Sequence, residues 1–360
     1  MTGQRSRGKG RLRAVVVDDS AFMRSLVVET LREADVEVVA TAADGHEAVA
    51  AVADHDPDVV TMDVEMPRMD GVTATAQIVR ETPTPVLLVS AHTTEGAEVT
   101  LEGLSKGAAD FTPKPDPDRG GVGAFRRELT EKVPAVASVD ATSLVPSETA
   151  TPTPATRAPA QRSYVADPVL VVGASTGGPA VVERLFADLP RAADLRVLVV
   201  QHMPDGFTAR FAERLDAAGP YDVSEAGDGD RIGGGEALVA PGGSHLAVRR
   251  NAGGRLRVAL DDGPRVNNVR PAVDVTMASA ARRVEDPLVG VVLTGMGGDG
   301  TDGLRAMKRA GARTLAQDEA TAAVFGMPRR AIGAGVVDRV VPADGVAGAV
   351  AAAVTSGGGD

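Results

Sequence analysis

The 360-residue sequence has no cysteine, which excludes disulfides, thiolate chemistry and cysteine-ligated zinc. It has no tryptophan and 2 tyrosines, so its cores must be packed from Val, Ala and Leu, and base-stacking platforms for single-stranded nucleic acid are lacking. No apolar run approaches the roughly 18 uninterrupted residues of a membrane span. The opening segment MTGQRSRGKGR is basic and polar with nothing apolar behind it, unlike a secretory signal or an anchor. A cytoplasmic protein is expected. Lysine is scarce as well (Lys9, Lys106, Lys114, Lys132 and Lys308), and arginine supplies the other basic groups. A salt-adapted host or a GC-rich genome would each produce that balance.

What is present is ordinary for a globular chain: 43% hydrophobic and 24% charged residues. At about 150 residues per domain the length predicts two domains. The net charge of -11 disfavours generic nucleic-acid binding, and it is unevenly spread. Residues 1–10 carry Arg5, Arg7 and Lys9, whereas residues 11–133 hold 12 Lys or Arg against 23 Asp or Glu. The acidity therefore sits in the first domain.

Strand-like runs RAVVVDD, VEVVATA, PDVVTMD, TPVLLVSA and GAADFTPKP alternate with helical stretches, the pattern of a parallel, doubly wound sheet. The alternation returns after residue 168 with PVLVVGAS, RVLVVQHMP, EALVAPGG and PLVGVVLTGMGG. The predicted fold class is thus α/β, two doubly wound parallel-sheet domains. Between them, Pro, Thr, Ala and Ser dominate without periodicity, as in TPTPATRAPAQRS. The expected organisation is a disordered basic tail at 1–10, a first domain at 11–133, a linker at 134–167 and a second domain at 168–355.

In a parallel sheet, functional groups gather outside the carboxyl ends of the strands. Asp18 and Asp19 end the first strand, Asp63 the third, Ser90 the fourth and Lys114 the fifth. Clustered carboxylates repel one another and invite an oxygen-loving divalent cation such as Mg2+. With the charge neutralised, one carboxylate can attack phosphorus, and a lysine and a hydroxyl can hold the transferred oxygens. Together with MDVEMPRMDG around Asp63 and Lys114 followed by Pro115, this set resembles the receiver domain of two-component response regulators. The resemblance covers residues 11–133. It implies a flavodoxin-like fold with Asp63 as phosphoacceptor and Mg2+ held by Asp18, Asp19, Asp63 and the Glu65 backbone carbonyl. It also implies that Ser90 and Lys114 contact the phosphoryl group. Phe111 stands where the family has its rotating aromatic, and is equally readable as a core residue.

In the second domain Gly173-Ala174-Ser175-Thr176-Gly177 follows a strand and precedes a helix, the context of a G-x-S-x-G nucleophile. A phosphate-binding glycine loop is the alternative, because Gly177 and Gly178 open a helix. His202 follows the strand RVLVV and shares a sheet edge with Ser175, which favours it as base over His245 in APGGSHLAV. Asp299, in the loop GMGGDG, can orient an imidazole; Asp302 and Asp274 are its rivals, and Asp302 also suits a helix cap. The glycines beside Asp299 would let backbone N–H groups reach a developing oxyanion. The order Ser, His, Asp is not that of α/β-hydrolases.

The motifs GASTGGP, QHMPDGFT, APGG, DGPRVNNVRPAVDV, LTGMGGDG and FGMP together resemble the catalytic domain of the chemotaxis protein-glutamate methylesterases, the CheB family. That resemblance implies a Rossmann-like domain with Ser175 as nucleophile, His202 as base, Asp299 as orienting acid and the Thr176 and Met296 backbones as oxyanion hole. It implies phosphorylation-activated hydrolysis of glutamate methyl esters on chemoreceptors, releasing methanol, with deamidation of glutamines and no cofactor for the ester reaction. The implied phosphodonor is the chemotaxis histidine kinase CheA. Gly298 departs from the asparagine frequent in relatives, and the linker is long. The rival expectations are a DNA-binding response regulator and a receiver-linked nucleotide-binding module.

Overall fold

The structure, a computed structural model, describes residues 10–91, 93–116, 121–144 and 163–356. The expected tail, apart from Gly10, and positions 145–162 of the expected linker lie outside the described residues. The chain forms two compact units, residues 1–146 and 147–360.

The first unit is a five-stranded parallel sheet of order β2-β1-β3-β4-β5. Its strands are β1 (Arg13–Val17), β2 (Glu37–Ala42), β3 (Val59–Asp63), β4 (Val86–Ser90) and β5 (Asp110–Pro113). Short Val-rich runs buried on both faces are what a sheet covered by helices requires, and β3 and β4 are buried throughout. The helices are α1 (Ala21–Glu33), α2 (Gly45–His55), α3 (Gly71–Glu81), α4 (Thr94–Ser105) and α5 (Gly121–Ala137). Polar residues in the strand-to-helix turns set the helix starts: Asp44 accepts from Glu47 N at 2.9 Å and Asp70 from Thr73 N at 2.7 Å. The strand order reverses between β1 and β3, and the crevice there opens beside Asp18 and Asp63.

Helix α5 continues through Pro134 to Ala137, and a 3-10 turn occupies 141–144. The linker therefore does not begin at residue 134. Val133 and Val136 are fully buried, and their packing holds the helix across a proline that ordinarily ends one.

The second unit has a seven-stranded parallel sheet of order β15-β14-β13-β6-β7-β10-β8. Its central strands are β6 (Val169–Ala174), β7 (Arg196–Gln201) and β13 (Leu288–Val292), flanked by β8 (Asp222–Glu225), β10 (Glu236–Val239), β14 (Arg313–Gln317) and β15 (Arg339–Val341). An antiparallel sheet of β9 (Arg231–Ile232), β11 (His245–Ala252) and β12 (Arg255–Asp261) accompanies it, an element absent from the sequence reading. The helices are α6 (Gly178–Asp188), α7 (Phe207–Ala218), α8 (Val273–Arg283), α9 (Thr301–Arg309), α10 (Met327–Gly333) and α11 (Val346–Ala353). Ala174 is in register with Gln201, and Gly173 with Val292. The three central strands therefore finish level, and the residues after them share one edge.

Among the described residues no helix is long and apolar enough to cross a membrane.

Candidate functional site

At the edge of the first sheet, carboxylate oxygens of Asp18, Asp19 and Asp63 all lie within 4.8 Å of one another. Asp18 and Asp63 are buried, whereas Asp19 is exposed. Lys114 Nζ sits 2.8 Å from Asp63 Oδ1 and 3.7 Å from Asp18 Oδ2. Burial, then the neighbouring Asp63 charge, pushes the Asp18 carboxyl up to about 6 against the pull of Lys114. Burial also raises Asp63, with Lys114 opposing. Lys114 is raised as well: burial disfavours its charge, but the bond to Asp63 and the carboxylates around it prevail.

Asp18 Oδ2 and Asp63 Oδ2 are buried and accept no hydrogen bond. Buried carboxylate oxygens without donors are costly, and a hard divalent cation relieves that cost. The donor set fits Mg2+. Ser90 is fully buried at the end of β4, with Oγ 2.5 Å from Thr100 Oγ1 and 3.3 Å from Gly96 O, so its hydroxyl is bonded into α4. Phe111 lies in the core, with Lys132 Nζ 5.3 Å from its ring centroid and donating to its carbonyl.

In the second unit, Ser175 follows β6 in a tight turn. Its carbonyl accepts from Gly178 N at 2.8 Å and from Gln201 Nε2 at 2.9 Å, and Gly177 takes a φ of +74°. The Ser175 N–H is spent on Thr294 O, 3.0 Å away, so it is no oxyanion donor. Among the described residues no group accepts from the Met296 N–H. His202 N donates to Ala174 O at 3.0 Å, extending the β6–β7 pairing to the residue beside Ser175.

The His202 ring meets Asp299 through Nε2, 2.9 Å from Oδ2. Asp299 is 3% exposed, so its charge must be hydrogen-bonded to be tolerated. Oδ2 also accepts from Val273 N at 2.6 Å, and Oδ1 accepts from Asp274 N at 3.1 Å and Asn267 Nδ2 at 2.8 Å. Burial alone would raise this carboxyl; the His202 contact, with Val273 N–H and Asn267 adding to it, holds it below the usual range.

The rivals separate clearly. Asp302 is an exposed residue of the first turn of α9, paired with Arg305. Asp274 lies in the first turn of α8 and accepts from Gly303 N at 2.6 Å. His245 is buried, with Nε2 3.0 Å from Pro264 O and Nδ1 3.1 Å from Ala272 N, so both ring nitrogens are occupied by backbone. Asn267 and Thr294 touch the site and were assigned no role from the sequence. Thr294 Oγ1 donates to Thr176 O at 2.9 Å, and the Asn267-Asn268 pair, both at positive φ, was the signal for an unusual loop.

The family model for CheB methylesterase matches residues 170–350, and that for the response regulator receiver domain matches residues 14–120. A protein-glutamate methylesterase/protein-glutamine glutaminase of Halobacterium salinarum is 56% identical over 345 residues, covering 94% of this chain and 97% of its own. One of the same name from Haloarcula marismortui is 51% identical over 367 residues, covering 96% of this chain and 98% of its own. The crystal structure of the Thermotoga maritima CheB methylesterase catalytic domain is 40% identical, covering 51% of this chain and 96% of that one, with a TM-score of 0.49.

Proposed function

The chain belongs to the CheB methylesterase family, and from that premise we propose that Ser175, His202 and Asp299 perform acyl transfer on glutamyl side chains under the control of Asp63. It is a hydrolase, a protein-glutamate methylesterase and protein-glutamine glutaminase acting in chemotaxis, with a response regulator receiver domain. The rival readings, a DNA-binding regulator and a nucleotide-binding module, are set aside by that membership.

His202 takes the Ser175 proton, and the serine oxygen attacks the γ-carbonyl of a methylated glutamate. Backbone N–H groups at Met296 and Thr176 hold the oxyanion. Methanol leaves with the proton from His202, and water, deprotonated in turn by His202, hydrolyses the acyl-enzyme. A glutamine amide follows the same path with ammonia as the poorer leaving group. The observation that carries this reading is the His202 Nε2 to Asp299 Oδ2 contact of 2.9 Å on the sheet edge beside Ser175.

In the receiver, Asp63 accepts the phosphoryl group, with Lys114 and Ser90 contacting its oxygens; Ser90 must first turn from α4. Asp18, Asp19, Asp63 and the Glu65 carbonyl would hold Mg2+, which supplies charge neutralisation for phosphoryl transfer. Phe111 responds as the switch aromatic. The donor is the chemotaxis histidine kinase CheA, the substrates are methylated chemoreceptors, and the protein works in the cytoplasm.

Methanol release from methylated receptor membranes, with and without a small phosphodonor and Mg2+, tests the whole scheme. Donor-stimulated release that is lost in Ser175→Ala supports it. Undiminished release by Ser175→Ala would refute the assignment of the nucleophile.

A further inference from the structure

The loop 262–272, between β12 and α8, brings one side chain against Asp299. Asn267 has a φ of +53°, a left-handed conformation that asparagine tolerates better than most residues. Its Nδ2 stands 2.8 Å from Asp299 Oδ1 and 2.8 Å from Asp274 Oδ2. An amide nitrogen has two protons, so one is committed to each carboxylate. The loop is clamped in turn by His245, whose Nε2 faces Pro264 O and whose Nδ1 accepts from Ala272 N. These contacts require a neutral ring protonated on Nε2.

A carboxylate turns about a soft torsion, so its plane is set by its partners. We propose that Asn267 is a positioning residue for acyl transfer: bridging Asp299 and Asp274, it completes, with the Val273 and Asp274 N–H groups, the set of donors that holds the Asp299 plane with Oδ2 toward His202. This rests on the reading of Ser175, His202 and Asp299 given above. Two neighbouring carboxylates repel, and the amide is the neutral donor that lets both be satisfied without either turning away. His245 supports the arrangement by holding both ends of the segment that carries Asn267.

Two full-length variants separate positioning from folding. Asn267→Gly keeps the left-handed backbone and deletes the amide. Asn267→Asp keeps the shape and replaces the donor with a third carboxylate. Methanol release is measured with phosphodonor and Mg2+ and normalised to serine labelled by a fluorophosphonate. Asn267→Gly is expected to lower per-site kcat about tenfold with KM within about twofold. Asn267→Asp should also lower per-site kcat, because it removes the amide donor and crowds a third carboxyl against Asp274 and Asp299. A purely structural defect would reduce the labelled fraction and leave the per-site rate of the remainder unchanged. Wild-type per-site kcat in Asn267→Gly would overturn the proposal. Ser175→Ala is run beside them: if it stays active, the triad reading falls and this proposal with it; if it is inactive while Asn267→Gly is normal, this proposal alone falls.

Discussion

The imidazole of His202 reaches the Asp299 carboxylate through Nε2, at 2.9 Å from Oδ2. The ionised carboxylate only accepts, so the Nε2 proton is fixed there and the lone pair is left on Nδ1, the atom that would take the Ser175 proton in the proposed mechanism. Asp299→Asn preserves the shape but offers the ring a donor, which favours the opposite tautomer. The expected result is a fall in kcat of about 10³ to 10⁴ with little change in KM. Steady-state methanol release checks it, and a loss smaller than tenfold would remove Asp299 from the mechanism.

Asp18 makes the receiver's stability depend on pH. Its carboxyl is pushed up to about 6 in the folded protein from an ordinary value of 3.8, by burial and then by the Asp63 charge. The folded state binds this proton more tightly than the unfolded state does, so the contribution is full below the ordinary carboxyl range. It is lost as pH rises through about 6. In EDTA, amides of β1 and β3 should exchange faster at pH 7 than at pH 4.5 after correction for intrinsic rates, and Asp18→Asn should flatten that difference. An equally steep pH dependence in Asp18→Asn would place the titrating group elsewhere.

Much of this was legible because both units obey one rule, that side chains following strands in a parallel sheet collect at one edge. That rule singles out Asp18, Asp63, Ser175, His202 and Asp299 in the sequence, and the strand registers bring the ends of β6, β7 and β13 to one edge. The hairpin of β11 and β12 is hard to see in the sequence although Gly253-Gly254, both at positive φ, is a two-residue turn signal between alternating runs. The surrounding strand and helix alternation masked it. Asn267 was not legible as a partner of Asp299 because the two are 32 residues apart and meet through a loop without periodicity. Nor does spacing reveal that the Ser90 hydroxyl bonds into α4, since that depends on a rotamer.

Lys114 faces both buried carboxylates of the receiver edge. Lys114→Met leaves Asp18 and Asp63 repelling each other, and a loss of about 1–3 kcal/mol of receiver stability is expected without metal. Saturating Mg2+ should recover part of that loss by supplying charge to the same oxygens. Urea unfolding with and without MgCl2 reads both effects. Unchanged stability in EDTA would mean that the carboxylates are protonated together and need no cation.

Gly295 sets how closely the loop after β13 approaches Ser175, the proposed nucleophile. A Cβ there would lie 2.4 Å from Met327 Sδ and 2.7 Å from Ser175 Cβ, too close for either to remain in place. The backbone cannot retreat: Gly295 N donates to Val324 O, and its carbonyl accepts from Gly326 N and Met327 N. Gly295→Ala should therefore displace the serine rather than the strand. Because a misplacement of about 1 Å can cost about 10²-fold, kcat/KM and fluorophosphonate labelling should fall together by about that factor in a protein that still melts cooperatively. Gly333→Ala, at a position with nothing within 4 Å, is the matched control and should leave both unchanged. A fully active Gly295→Ala would mean that Ser175 takes its position from the β6 turn alone, without the support of the β13 loop.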